Sequence, residues 1–458
     1  MTKKVTVEQL LAKAKKPSQL AMAYHPFYEG KVQIMPKCAI RSPADFAIWY
    51  TPGVAAPCKE IKEKPEKVFE YTNRWNYVAV VSDGTRVLGL GDIGPEAGLP
   101  VMEGKALLFK YLGGVDAFPI CLGTKDPEEI INACRWIQPT FGGINLEDIS
   151  KPKCFYILEK LIKQLEIPVW HDDQQGTATI ILAGLINALK IVGKKMSEAT
   201  ITMIGAGAAN TRTAIVLMKA GAKPANLTIV DTKGILHPGR KDLEAEKEEN
   251  PWKWEFCQKT NAERRTGGIP EALKDADACI AASQPGPGTI KKEWVAKMAK
   301  NAIIFACANP IPEIWPWEAK EAGARIVATG RSDFENQINN SLGFPGIFRG
   351  VLDVKAKTIT DDMCIAAGRE LAKFAEERGI HEGDISPRME EWEVYPREAV
   401  ACALESIKEG VARVKPSKEE LWDRAVSIIK NAREATALLM KKGLILPPPP
   451  EKEVLKSP

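Results

Sequence analysis

The sequence predicts an α/β protein whose larger part is a doubly wound parallel sheet, and three observations carry that expectation. Its 458 residues exceed what one ordinary core organises, so more than one domain is expected. From about residue 140, short runs of small and β-branched residues alternate with helix-compatible segments. A glycine-rich turn joins a strand pattern to an apolar helix pattern, as "ITMIGAGAANTRTAIVLMKAG" shows.

Taken in order, residues 1–70 hold short helical patterns broken by Pro and Gly, with "YTPGVAAPC" as a turn. "YVAVVSDGTRVLGLGD" (77–92) reads as a β-hairpin, two apolar runs joined at Asp83-Gly84. "PVMEGKALLFKYLGG" (100–114) reads as a helix ended by glycines. The alternation then runs through "FGGINLEDI", the amphipathic "CFYILEKLIKQLE", "IPVWHDD" and the mostly apolar "GTATIILAGLINALKIVG". "LTIVD", "ADACIAAS", "NAIIFACANP" and "ARIVATG" continue it as strands. A long helical stretch, 417–443, precedes the proline tail "LPPPP".

Composition excludes several classes. With 45% apolar and 27% charged residues the chain reads as a soluble globular protein. The 63 basic and 59 acidic residues nearly cancel, so no nucleic-acid partner is expected. "RKDLEAEKEEN" (240–250) mixes both signs and reads as a solvated loop or helix. Ten scattered cysteines without a CxxC pair argue against a disulfide framework and a zinc site, and fit a reducing cytosol. The N-terminal stretch lacks the apolar run of a signal peptide, and the longest apolar stretch, 178–189, is too short for a bilayer. A cytoplasmic protein with no membrane partner is expected.

Two acidic pairs end consecutive strand patterns, Glu147-Asp148 and Asp172-Asp173, with one helix of crossover length between them. A βαβ unit puts both pairs at the C-terminal edge of a parallel sheet, where open α/β folds bind ligands. Four carboxylates with no lysine beside them repel one another unless some are protonated or a cation sits among them. Oxygen ligands select Mg²⁺ or Mn²⁺. In the competing reading Asp172 caps the helix that starts near Gly176 and the others are solvated. Spacing alone leaves these two readings even.

In the glycine loop, Gly205 allows the tight turn and Gly207 lets the backbone approach a pyrophosphate at a helix N-terminus. Asn210 stands where glycine or alanine is usual and should loosen strand–helix packing. Asp231, ending the next strand, would accept the adenosine ribose hydroxyls and slightly favour NAD; Lys233 could reverse that by pairing with a 2′-phosphate. Lys105 interrupts an apolar stripe of Met102, Leu108, Phe109 and Leu112. Either it snorkels, which the residues alone favour, or its desolvated amine has a lowered pKa and serves as a base. Tyr50 beside a Pro-Gly turn reads as a packing tyrosine. Arg86 either grips a carboxylate or is a surface arginine.

Together these stretches resemble the malic enzymes of the shorter bacterial and archaeal type. The motifs "WYTPGVAAPC", "SDGTRVLGLGDIGPEAGLPVMEGKALLF", "GGINLEDI", "HDDQQGTA", "GAGAA", "FACANPIPEI", "GRSDFENQINNSLGFPGIFRG" and "ITDDMCIAAGRELA" occur in the family's order over most of residues 20–400. The resemblance implies an N-terminal malic-type α/β domain (1–160), a Rossmann-like NAD(P)-binding domain (161–415), and a C-terminal helix and tail (416–458) packed on the body or at an interface. It implies oxidative decarboxylation of L-malate to pyruvate and CO₂ with NAD or NADP and Mn²⁺ or Mg²⁺, decarboxylation of oxaloacetate, and a homo-oligomer built from dimers. The family's metal ligands fall on Glu147, Asp148 and Asp173, its base on Lys105, its acid on Tyr50, and a base-supporting acid on Asp172. Substrate positions fall on Arg86, Lys105, Asn309 and Asn340. Dinucleotide positions fall on Gly205, Ala206, Gly207, Ala208, Ala209, Asp231, Asn309 and Asn339. Gln175 and Asn210 depart from the family pattern. A plain dehydrogenase, a malolactic-type decarboxylase, a silent malate or dinucleotide sensor and an α/β scaffold for protein partners are the alternatives.

Overall fold

The computed structural model describes residues 7–331 and 333–455; the first six residues of the stretch read for a leader lie outside the described residues. The first sheet is built from β1 (Tyr77–Ser82), β2 (Asp116–Cys121), β3 (Gly143–Leu146) and β4 (Val169–His171), in the order β2-β1-β3-β4 with every pairing parallel. The second is built from β5 (Ile201–Ile204), β6 (Leu227–Asp231), β7 (Gly234–Ile235), β8 (Ala278–Ala281), β9 (Ile303–Ala306) and β10 (Ile326–Thr329). Its order is β10-β9-β8-β5-β6-β7, parallel except for the antiparallel edge strand β7. The order reverses between β5 and β8, which opens a crevice at the strands' C-terminal ends.

The expected hairpin at 77–92 does not form. Val78, Ala79, Val80 and Val81 are fully buried because β1 is a central strand, paired with β2 on one side and β3 on the other. An unbroken apolar run is what a strand buried on both faces requires, so no partner strand could follow through a tight turn. Residues after Asp83 instead make a loop. The Asp83 carboxylate accepts the Thr85 N–H (3.1 Å) and hydroxyl (2.6 Å) and pairs with Lys153.

Four helices matter for the site. Helix α1 (Pro95–Gly113) starts earlier than expected, with Pro95 in the first turn, where its missing N–H costs nothing; it ends at Gly114 in the left-handed conformation, φ 65°. Helix α2 (Lys153–Gln164) is the crossover between β3 and β4 and spans residue 160, so strands of the first sheet lie on both sides of that point. Helix α3 (Thr177–Val192) is apolar nearly all round. The 21-residue span Asp172–Val192 is long and apolar enough to cross a membrane by length and composition, yet 72% of its most apolar 18-residue window is buried inside the fold. Helix α4 (Ala208–Lys219) follows the glycine loop and packs on α3.

The chain then returns to the first sheet. Helices α5 (Phe344–Asp353), α6 (Asp361–Arg378) and α7 (Val394–Lys408) follow the second sheet. Phe344, Phe348 and Val351 of α5 and Val400 and Ala403 of α7 share one core with Val78 and Val80 of β1 and Met102 and Phe109 of α1. The last long helix, α8 (Lys418–Lys441), packs on α1, α5 and α7, with Arg424 Nε 2.6 Å from Asp353 Oδ1. All ten cysteines are free thiols.

Candidate active site

Strand register sets the acidic pairs side by side. Leu146 pairs with His171 across β3 and β4, so the next residues of each strand leave the sheet at the same edge. Ligand atoms of Glu147, Asp148 and Asp173 lie within 4.8 Å of one another. Asp148 turns back into the site through a left-handed backbone, φ 54°, held by the Arg86 N–H to its carbonyl (2.9 Å) and by its own N–H to Asp173 Oδ2 (3.1 Å). The Asp148 Oδ2 oxygen is buried and has no hydrogen-bond partner among the described residues. Burial and the neighbouring Asp173 push the Asp148 carboxyl up to about 8, and burial also raises Glu147, Asp172 and Asp173. Such a set is short of positive charge, and oxygen donors with one orphaned lone-pair site fit a hard divalent ion.

The expectation that no lysine stands among these acids is wrong. Lys105 Nζ lies 2.6 Å from Asp172 Oδ2 and 3.0 Å from Glu147 Oε1, and 4.3 Å over the Phe344 ring. The residue is 8% exposed, so it does not snorkel. Burial alone would lower its pKa, but Asp172 and Glu147 outweigh that and raise it. Asp172 caps no helix. Its carboxylate accepts Lys105, the Trp170 indole N–H (3.1 Å) and the Asn340 amide, and it occupies the space a side chain on Gly176 would need.

The remaining site candidates divide. Asn340 reaches the cluster through Asp172. Asn309, in the loop after β9, is exposed, with its backbone against Gly89 and its amide against Gly330, so the loop after β1 and the second sheet meet there. Asn339 spends its side-chain oxygen on the Ser341 N–H (2.9 Å). The Arg86 guanidinium bonds to the Leu88 carbonyl (3.0 Å) and pairs with no carboxylate among the described residues. Tyr50 is 72% exposed, and its hydroxyl has no hydrogen-bond partner among the described residues; it does not pack.

The glycine loop has the form a pyrophosphate needs. Gly205 has φ 99°, and a Cβ there would come 2.6 Å from the Ala282 carbonyl. Gly207 faces open space, and no side chain caps the first turn of α4, which begins at Ala208 and Ala209; Ala206 is buried beneath it. Asn210 does not loosen the packing. It is 1% exposed and donates its amide to the Ile204 and Gly205 carbonyls, both at 2.9 Å, tying helix to strand. Asn210→Ala should therefore cost about 1–2 kcal/mol in denaturant unfolding, from two lost buried hydrogen bonds; an unchanged midpoint would refute the tie.

Asp231 is engaged rather than free. Oδ1 accepts the Lys233 N–H (2.9 Å) and Arg240 (3.1 Å), and Oδ2 accepts Arg240 (3.2 Å) and Lys253 (3.3 Å). These fill the four acceptor positions of a carboxylate. Burial opposes its ionisation, but Arg240, Lys233 N–H and Lys253 together hold the carboxyl below its ordinary value. The Lys233 ammonium turns instead to Asp242, 3.2 Å away. The run at 240–250 is thus only partly a solvated stretch, because Arg240 points inward between Asp231 and Asp242.

Sequence reading missed Asn145, whose amide donates to Glu147 Oε2 (2.9 Å), and Glu313, whose buried carboxylate accepts Ser283 N–H, Ser283 Oγ and Ala308 N–H and ties the loops after β8 and β9. Asn145 carried a usable signal, since it precedes Glu147 by two residues and shares its strand face. Glu313 carried none.

Comparison with known proteins identifies the family. The family model "Malic enzyme, N-terminal domain" matches residues 29–162, and "Malic enzyme, NAD binding domain" matches residues 174–407. The bifunctional malic/malolactic enzyme of Bacillus subtilis is 46% identical over 404 residues, 88% of this chain and 96% of that protein. The NAD-dependent malic enzyme of Geobacillus stearothermophilus is 48% identical over 84% of this chain and 78% of its own length. Among solved structures, the Entamoeba histolytica malic enzyme superposes with a TM-score of 0.95 at 48% identity, covering 100% of this chain and 95% of that one. The Pyrococcus horikoshii malic enzyme gives 0.86 at 55% identity over 90% and 95%. Two malic enzyme family models that together span most of the chain, and relatives this similar over nearly its whole length, place it in the malic enzyme family.

Proposed function

We propose that Glu147, Asp148 and Asp173 hold one Mn²⁺ or Mg²⁺, beside which this malic enzyme oxidises L-malate and releases pyruvate and CO₂ with NAD or NADP. The observation that carries the metal assignment is the convergence of three carboxylates within 4.8 Å, one with an orphaned oxygen. When bound, the cation would supply polarisation of the oxygen on C2 and the nicotinamide would supply the hydride acceptor. Lys105, oriented by Asp172 and Glu147, takes the C2 hydroxyl proton. Asn340, fixed on Asp172, and Arg86 and Asn309, on the two loops that meet at Gly89, orient the substrate carboxylates. The same centre decarboxylates oxaloacetate, and Tyr50 returns a proton to C3. Counting pyruvate, CO₂ and reduced nicotinamide from malate in one reaction tests the assignment; lactate as the product would favour the malolactic reading, which the Bacillus subtilis relative's name makes specific.

Tyr50 cannot serve while solvent surrounds it. Its neighbours Phe46, Ile48 and Trp49 are 52%, 55% and 49% exposed, an apolar surface larger than scattered residues account for. A homo-oligomer that covers this segment supplies the dry environment a tyrosine acid needs. Specific activity should fall on dilution as light scattering shows assemblies giving way to single chains; a fully active monomer would contradict this. The unpaired cysteines suit a cytoplasmic setting.

The Asp231 contacts support acceptance of either dinucleotide. A free carboxylate there would repel a 2′-phosphate, whereas this one is neutralised by Arg240 and Lys253. Arg240→Ala should move the ratio of kcat/KM values toward NAD by on the order of tenfold, the effect of about 1.4 kcal/mol. An unmoved ratio would exclude Arg240 from cofactor choice.

A further inference from the structure

His171, the last residue of β4, has its ring fully buried, and neither ring nitrogen has a hydrogen-bond partner among the described residues. Leaving a buried polar side chain unpaired is unfavourable, so such a group calls for a reason. Its backbone already serves the local fold, with the N–H donated to Gln175 Oε1 at 3.0 Å, and that role needs no imidazole. The ring's Nδ1 lies 3.7 Å from Asp173 Oδ2, a few tenths of an ångström beyond hydrogen-bonding distance. Asp173 Oδ2 already accepts the Asp148 N–H, so that oxygen has a second acceptor position while Oδ1 is left to other work.

We infer that His171 is a positioning residue for the divalent site, donating Nδ1–H to Asp173 Oδ2 so that Asp173 and Asp148 are held in one arrangement. A neutral imidazole carries a single N–H, and a carboxylate facing Nδ1 selects the tautomer with the proton on that nitrogen. Donors behind a ligating carboxylate fix its orientation and commonly change metal affinity by about 10–100-fold. The inference rests on the metal reading proposed above and concerns a residue that reading leaves unused.

The test is Mn²⁺ alone titrated into the full chain, with free Mn²⁺ read by electron paramagnetic resonance, for wild type, His171→Leu and His171→Asn. The leucine variant should bind Mn²⁺ at least tenfold more weakly. Its metal-free unfolding midpoint should be no lower than wild type's, because it replaces two unpaired buried nitrogens with an apolar group. The asparagine variant, which keeps an N–H donor near the Nδ1 position, should recover most of the affinity. Equal Mn²⁺ affinity in wild type and leucine variant overturns the inference and leaves the metal site standing. Weak binding by the leucine variant together with a lowered metal-free midpoint assigns His171 to general packing and also overturns it. If wild type itself binds no Mn²⁺, the metal reading falls and this inference with it.

Discussion

Lys105→Ala should lower malate oxidation by about 10²–10⁴-fold, the span a positioned general base supplies, while largely sparing decarboxylation of added oxaloacetate. The split follows from what each step asks of the residue. Oxidation needs a group to take the C2 hydroxyl proton, and Lys105, held 2.6 Å from Asp172 and 3.0 Å from Glu147, is the only amine in contact with the cluster among the described residues. Oxaloacetate already carries a ketone, so its decarboxylation asks for polarisation of that oxygen rather than for a base. The carboxylates that raise the Lys105 pKa include Glu147, a proposed ligand, so a bound cation would offset part of their pull and link metal occupancy to base function. Steady-state rates for the two substrates at saturating Mn²⁺ decide the matter; equal loss of both activities would reject the base role.

The second large effect is expected at Asp173. Asp173→Asn keeps an oxygen for the Asp148 N–H and so preserves the local fold, but removes one of three negative charges from the site. Loss of a mere supporting partner changes metal affinity by about 10–100-fold, and loss of a ligand charge should cost at least as much. The Mn²⁺ concentration giving half-maximal activity should rise accordingly, with the unfolding midpoint little changed in the absence of metal. A metal titration identical to wild type would remove Asp173 from the ligand set.

Much of the fold was readable where one local signal decides one element. The β3–α2–β4 crossover, the glycine loop before α4, and strands β6, β8, β9 and β10 sit where short apolar runs and helix periodicity put them. The 77–92 segment failed because Asp83-Gly84 between apolar runs is a genuine hairpin signal that a parallel partner on each side of β1 overrides. Strand β2 and helices α5–α7 were not identified. Pro119 inside "DAFPIC" argues against a strand and is accommodated because β2 lies at the sheet edge. Helix α5 is buried on every face, so it lacks the solvated polar face of a surface helix.

Local chemistry in the chain determined the α/β class, the family resemblance and the placing of Glu147, Asp148, Asp172 and Asp173 at one sheet edge, because strand direction and a single crossover suffice for that. Distance decided the rest. Lys105 meets those acids across 67 positions, while Arg240 reaches Asp231 across nine, Lys253 across 22 and Asn210 the Ile204 carbonyl across six. In each case the packed backbone, not the spacing, chooses the partner, and Tyr50 stands in solvent. Residue spacing encodes which face a side chain leaves from, but its charge partner is chosen only when helices and strands from remote parts of the chain are packed together.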